Sequence, residues 1–180
     1  MEQCARIWTT EEIRRVLLLG AEASKQRVLA RLAEQPEIVH FAVHLLHPDP
    51  RSGALIALSL GTSQQDQFLS KAEIQSRRAG AQLVVISGCS SGSSEALPGA
   101  GLMGLTRAWL ASGTGFVIAT HWPTTDDTGD FFARFYQHLR HAPHSDPARA
   151  LQSAQRDMLK SGNWRRSSRY WASYFVMGGG

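Results

Sequence analysis

The residues best suited to chemistry in this chain are a cysteine set between glycines, Gly88-Cys89-Ser90-Ser91-Gly92, and an upstream histidine, His44. A thiol becomes a strong nucleophile only as the thiolate, and near neutral pH that needs a base or a positive neighbour. Cys89 and His44 each follow a run that reads as a strand. Ile38–Val43 ends at His44, and Gln82–Ile86 ends at Ser87-Gly88-Cys89. On neighbouring parallel strands the pair would meet at one end of the sheet. The glycines around Cys89 let the backbone turn sharply and bring amides close to a substrate. A third run, Gly115–Thr120, ends at His121-Trp122-Pro123, which brings His121 to the same end. Taken alone, a cysteine is commonly a small buried hydrophobe; the paired placement carries the signal.

Other chemistries fit less well. His40, His44 and His47 would sit along a strand, where positions four apart lie roughly 13 Å from each other, too far to share a metal. No metal site is expected. His40 reads as a structural partner below the pair and His47 as a loop residue before Pro48. A hydrolase elbow needs glycine two before and two after its nucleophile, and Ser87 and Ser91 hold those positions. The spacing of Gly88 and Gly92 does not give a dinucleotide fingerprint. Asp126 either caps the following helix, which is the preferred reading, or lines a specificity pocket. Glu95 reads as a solvated loop residue able to attract a basic substrate side chain. Arg165, Arg166 and Arg169 beside Trp164 and Trp171 make a basic patch without a recognised nucleic-acid module, so a solvated loop is expected and no nucleic-acid partner.

These residues need a framework that presents strand ends together. Short apolar runs (Val16–Leu19, Ile38–Val43, Ala54–Leu58, Gln82–Ile86, Gly115–Thr120, Trp171–Met177) alternate with helical patterns (Ala23–Ala33, Phe68–Arg78, Gly101–Leu110, Thr128–Leu139, Pro147–Leu159). Asp146 and Pro147 are an N-cap followed by a first-position proline. Alternation of this kind predicts parallel strands joined by crossover helices. The unbroken run Leu83-Val84-Val85-Ile86 fits a strand covered on both faces. Ligands of such sheets bind beyond the carboxyl ends of the strands, where His44, Cys89 and His121 fall.

With 180 residues, 43% of them apolar and 19% charged, the chain fits one globular domain. Its two cysteines are too few for a disulfide framework. No apolar run approaches the roughly 18 residues of a membrane span, and the start does not read as a secretory signal. A cytoplasmic protein without a membrane partner is expected.

Several stretches resemble the CHAT domains of the caspase, separase and gingipain clan. Leu83–Gly92 is similar to their nucleophile strand and turn, and Leu97–Leu105 to the loop and helix that follow. Trp122-Pro123-Thr124-Thr125-Asp126 resembles their tryptophan–proline turn. Pro147–Leu151 and Tyr170–Ala172 resemble the closing helix and final strand, and Ile38–His44 the strand ending in the catalytic histidine. The resemblance runs from about Val16 to Gly178. It implies a three-layer α/β/α sandwich with a mainly parallel sheet, here lacking the family's first strand and helix. The expected division is a lead-in over residues 1–13, the domain over 14–178 and a tail over 179–180. It further implies a cysteine endopeptidase with Cys89 as nucleophile and His44 as general base, acting on a protein or peptide substrate without a cofactor. The backbone amides of Cys89 and Leu45 would form the oxyanion hole. Ser87, Gly88, His121 and Asp126 are candidate substrate contacts. A bacterial signalling context is implied, in which such domains often follow helical-repeat modules of a longer parent. The family carries glycine after the histidine, where this chain has Leu45. Crowding there, with the short front end, gives the alternative expectation of a catalytically weak pseudo-peptidase acting as a protein-binding regulatory module.

Overall fold

The run Leu83–Ile86 forms strand β5, with all four residues buried. In a computed structural model describing residues 2–8, 15–46, 53–59, 64–88, 100–122, 124, 128–141 and 146–178, β5 lies between two parallel neighbours. On one side is β1 (Ile38–Phe41), in the register Ile38↔Leu83 to Phe41↔Ile86. On the other is β6 (Phe116–Thr120), from Leu83↔Phe116 to Val85↔Ile118. The sheet closes with β7 (Tyr174–Gly178), antiparallel to β6, giving the order β1-β5-β6-β7. Its reversal follows from the connection. A single long helix, α4 (Ala100–Ala111), returns the chain from β5 to the start of β6. Two long helices, α5 (Gly129–His141) and α6 (Pro147–Lys160), carry it down and back up after β6. The short α7 (Ser168–Trp171) then leads into β7 from the same end.

Period-two alternation sorts the strand side chains into two cores. Val84 and Ile86 join Phe41, Leu105, Trp109 and Val117 on the α4 side. Leu83 and Val85 join Ile118, Phe132, Phe135 and Tyr174 on the α5–α6 side. Each β-branched side chain buried in this way contributes roughly 1.5–3 kcal/mol, which fixes the register that brings the strand ends level. The α4 layer also holds α2 (Lys25–Ala33) and α3 (Lys71–Gln75), tied by a Lys25–Glu73 ion pair. The α5 layer holds α1 (Glu2–Trp8), whose Cys4 is buried in the second core. The result is the expected α/β sandwich with a mainly parallel sheet.

Other expectations meet corrections. Val16–Leu19 forms no strand; Val16 and Leu19 are nearly half exposed, and only Leu18 packs on the first core. Phe68–Arg78 is not one helix. Phe68–Leu69 form the short strand β4, and a Ser70–Glu73 capping box starts α3 only at Lys71. β4 belongs to a small antiparallel sheet with β2 (Leu45–Leu46) and β3 (Leu55–Ala57), in the order β2-β3-β4. The last strand begins at Tyr174, because Trp171 ends α7. Asp146 does cap α6, accepting from the Ala148 and Arg149 amides at 2.9 and 3.3 Å, with Pro147 in the first turn. Among the described residues, no helix is long and apolar enough to cross a membrane.

Candidate active site

β1 and β5 leave the sheet side by side. The Ser87 amide donates to the Phe41 carbonyl at 2.9 Å, so the pairing continues one step past β5. At Gly88 the two chains come closer still. A Cβ placed there would stand 1.9 Å from the Val43 carbonyl oxygen, so only glycine fits without the backbones moving apart. His44 follows Val43, and Cys89 follows Gly88, so each candidate residue is one position beyond a backbone contact. Cys89 itself lies outside the described residues, as do Glu95 and Asp126. His44 is exposed.

Leu45 departs from the expected crowding. Its side chain is fully buried in the first core, beneath Gly88. Its backbone has ordinary negative φ, since Gln35 is the sole non-glycine residue with positive φ among the described residues. The Ala57 amide donates to the His44 carbonyl at 2.9 Å. That bond puts Leu45↔Ile56 in the non-hydrogen-bonded position of the β2–β3 ladder. The Leu45 N–H therefore points away from β3, toward the outer edge of β2.

His121 ends β6 at the same end of the sheet. It is exposed, its ring stacks on Phe175 with centroids 4.3 Å apart, and its amide donates to the Ser173 carbonyl at 2.8 Å. Trp122 stacks beside it at 6.3 Å. Thr124 is buried and accepts a hydrogen bond from the Tyr174 hydroxyl at 3.3 Å.

Ser87, a candidate substrate contact, has its hydroxyl engaged from below. It stands 2.7 Å from His40 Nε2, and His40 Nδ1 stands 2.9 Å from the Tyr136 hydroxyl of α5. The residue as a whole is partly exposed, but its ring is enclosed by Ser87, Tyr136 and the edge of Phe132, 4.7 Å away. Burial drives the imidazole pKa down to about 3. A base that weak cannot draw a proton from a serine hydroxyl or a thiol near neutral pH. His40 and Ser87 therefore do not form a second nucleophile pair, despite their hydrogen bond. Sequence reasoning placed His40 below the candidate pair but did not find Tyr136. The readable signal was a phenol on the apolar face of an amphipathic helix, which when buried needs a polar partner.

A cavity of about 290 Å³ between α2, α3 and α4 is floored by Trp109 and Ala79 and rimmed by Arg77 and Arg78. Ala79 precedes β5 and Trp109 precedes β6, so this cavity lies at the amino ends of the strands. His44 and His121 mark the opposite end, where a parallel sheet presents its chemistry. Size alone does not make the cavity the reactive site.

A family model for the CHAT domain matches residues 2–179. The chain belongs to the CHAT domain family. CHAT domains are caspase-like, within a family of cysteine peptidases, and the mainly parallel sheet of this CHAT domain agrees with that kinship. No curated protein matches the chain.

Proposed function

We propose that this CHAT domain is a cysteine endopeptidase in which His44 and Cys89 form the catalytic dyad. The observation that carries the reading is the backbone contact between Val43 and Gly88, which brings the chain positions just before His44 and Cys89 together at the carboxyl end of the sheet. In this reading His44 takes the thiol proton, and the thiolate adds to the scissile carbonyl carbon. The amides of Cys89 and Leu45 hold the resulting oxyanion. Collapse of the intermediate breaks the peptide bond as the imidazolium returns its proton to the leaving amine. Water, deprotonated by the same imidazole, then hydrolyses the thioester. The outward N–H of Leu45 supports its share in the oxyanion hole, and its side chain is turned into the core. In this reading His121, with Trp122 stacked beside it just past β6, contacts a substrate side chain.

The substrate class is a protein or peptide. The proposed setting is a bacterial signalling pathway in the cytoplasm, with helical-repeat modules in a longer parent protein. A peptide-library cleavage screen tests the reading. Cleavage by the wild-type protein, lost in Cys89→Ala and in His44→Ala, is the expected result. Cleavage that survives Cys89→Ala would sink it.

A further inference from the structure

Ser87, two positions before Cys89, is held from two directions. The Ser87 amide is fixed by the Phe41 carbonyl at 2.9 Å, and its hydroxyl meets His40 Nε2 at 2.7 Å. The other nitrogen of the same ring meets the Tyr136 hydroxyl at 2.9 Å, from a helix on the next layer. A neutral imidazole has one donor and one acceptor nitrogen. With the hydrogen on Nε2, every group finds a use. Tyr136 O–H donates to Nδ1, Nε2–H donates to Ser87 Oγ, and the Ser87 hydroxyl is left for the Phe41 carbonyl at 3.5 Å. This tautomer is assigned from the network.

Placing three polar groups here costs desolvation that an apolar trio would avoid. What the arrangement gives is a fixed geometry, because a fully satisfied buried network has one good arrangement. It is fixed at the entrance to the turn. After Ser87 comes Gly88, pressed on Val43 with no side chain of its own to lock it. Catalytic groups need placement within about half an ångström, set by supporting residues.

We propose that the Tyr136–His40–Ser87 chain positions the nucleophile turn, with His40 as a positioning residue that couples α5 to the place where the thiol and the first oxyanion amide are presented. This rests on the peptidase reading, and it adds an input to that site from α5. A shift of Tyr136 should reach the turn through the imidazole, without contact between α5 and substrate.

The test measures iodoacetamide alkylation of Cys89 in the full chain, with melting temperature and near-UV circular dichroism to confirm folding. The variants are Ser87→Ala, Tyr136→Phe, the double variant, Ser87→Thr, and His44→Ala for reference. Ser87→Ala and Tyr136→Phe should each slow labelling by about tenfold, within the range that small misplacements cost. The double variant should be no slower than the slower single, as expected of one connected chain. Ser87→Thr, which keeps the hydroxyl, should restore the rate. Hydrogen exchange over Ser87–Gly88 should quicken in the two slow variants. Lower melting temperatures with unchanged labelling and exchange would reduce the chain to a packing role and overturn the proposal. His44→Ala separates the two readings: labelling unaffected by that change defeats the dyad, while slowing in Ser87→Ala still supports positioning.

Discussion

His40 and His44 share one short stretch of chain, and their surroundings differ at every point that matters for proton transfer. His40 is the third residue of β1, and its ring is enclosed by Phe132, Tyr136 and Ser87. His44 comes just after the strand has ended and is exposed. Enclosure holds the first ring neutral, with both nitrogens occupied, so it can fix geometry but cannot move a proton. The second is exposed and, in the proposed dyad, is the ring that would meet the substrate. If the proposed dyad holds, one residue type serves two purposes, set by whether the strand is still packed beneath α5. The lesson for a histidine pair of this spacing is to ask which ring is already spoken for before assigning a base.

The strongest way to break this contrast is to remove each ring in turn. His44→Ala should lower peptide hydrolysis by roughly 10⁴-fold, the scale of losing a catalytic base. It should leave stability within about 0.5 kcal/mol, as for an exposed site. His40→Ala should do the reverse in kind. It removes the ring that bonds the Ser87 and Tyr136 hydroxyls and opens a cavity, at a cost of about 3 kcal/mol in urea unfolding. If His40→Ala proves neutral for stability while His44→Ala unfolds the protein, the assignment is inverted.

A titration sharpens the comparison. His40 has a folded pKa of about 3, below the unfolded value near 6.5. Between those limits the unfolded chain binds a proton that the folded protein does not. This ring's stabilisation is therefore complete above pH 6.5 and is lost as pH falls toward 3. The slope approaches about 1.4 kcal/mol per pH unit inside that window. Urea unfolding of wild type and His40→Gln, measured from pH 7 to 4, isolates the contribution. The wild-type curve should fall more steeply, and parallel curves would show that His40 is not held neutral. A smaller change supplies the baseline. Asp146→Ala removes the N-cap of α6, remote from both rings in sequence and element, and should cost about 1 kcal/mol. Hydrolysis per folded molecule and the steepness of the acid limb should both stay as in wild type.

Much of this frame was readable from local pattern. An unbroken run such as Leu83–Ile86 has few alternatives to a doubly covered strand, and its parallel pairing with β1 and β6 follows the strand–helix alternation. Asp146-Pro147 fixed a helix start from two residues. What stayed hidden depends on distance or brevity. β2, β3 and β4 are two or three residues long, too short to show a period. Val16–Leu19 has the composition of a strand but lies along the surface without a strand partner. The His40–Tyr136 bond joins positions 96 apart in sequence, and no local signal encodes such a meeting. Leu45 looked obstructive because a sequence gives a residue's size and not its direction; the register of β2 turns its side chain inward and its amide outward.

Cys4 gives the protein a built-in stopwatch. The residue is 2% exposed, and its thiol points to the Gly129 carbonyl 3.8 Å away at the start of α5 and is pushed up in pKa by burial. An alkylating reagent can reach it only while α1 is lifted from α5, and only the small thiolate fraction then reacts. Labelling at residue 4 therefore counts openings of that seam, on a time axis separate from any reactivity at Cys89. Peptide mapping of one reaction mixture would read both, reporting in a single experiment how often the α1 seam opens and how fast the turn after β5 reacts.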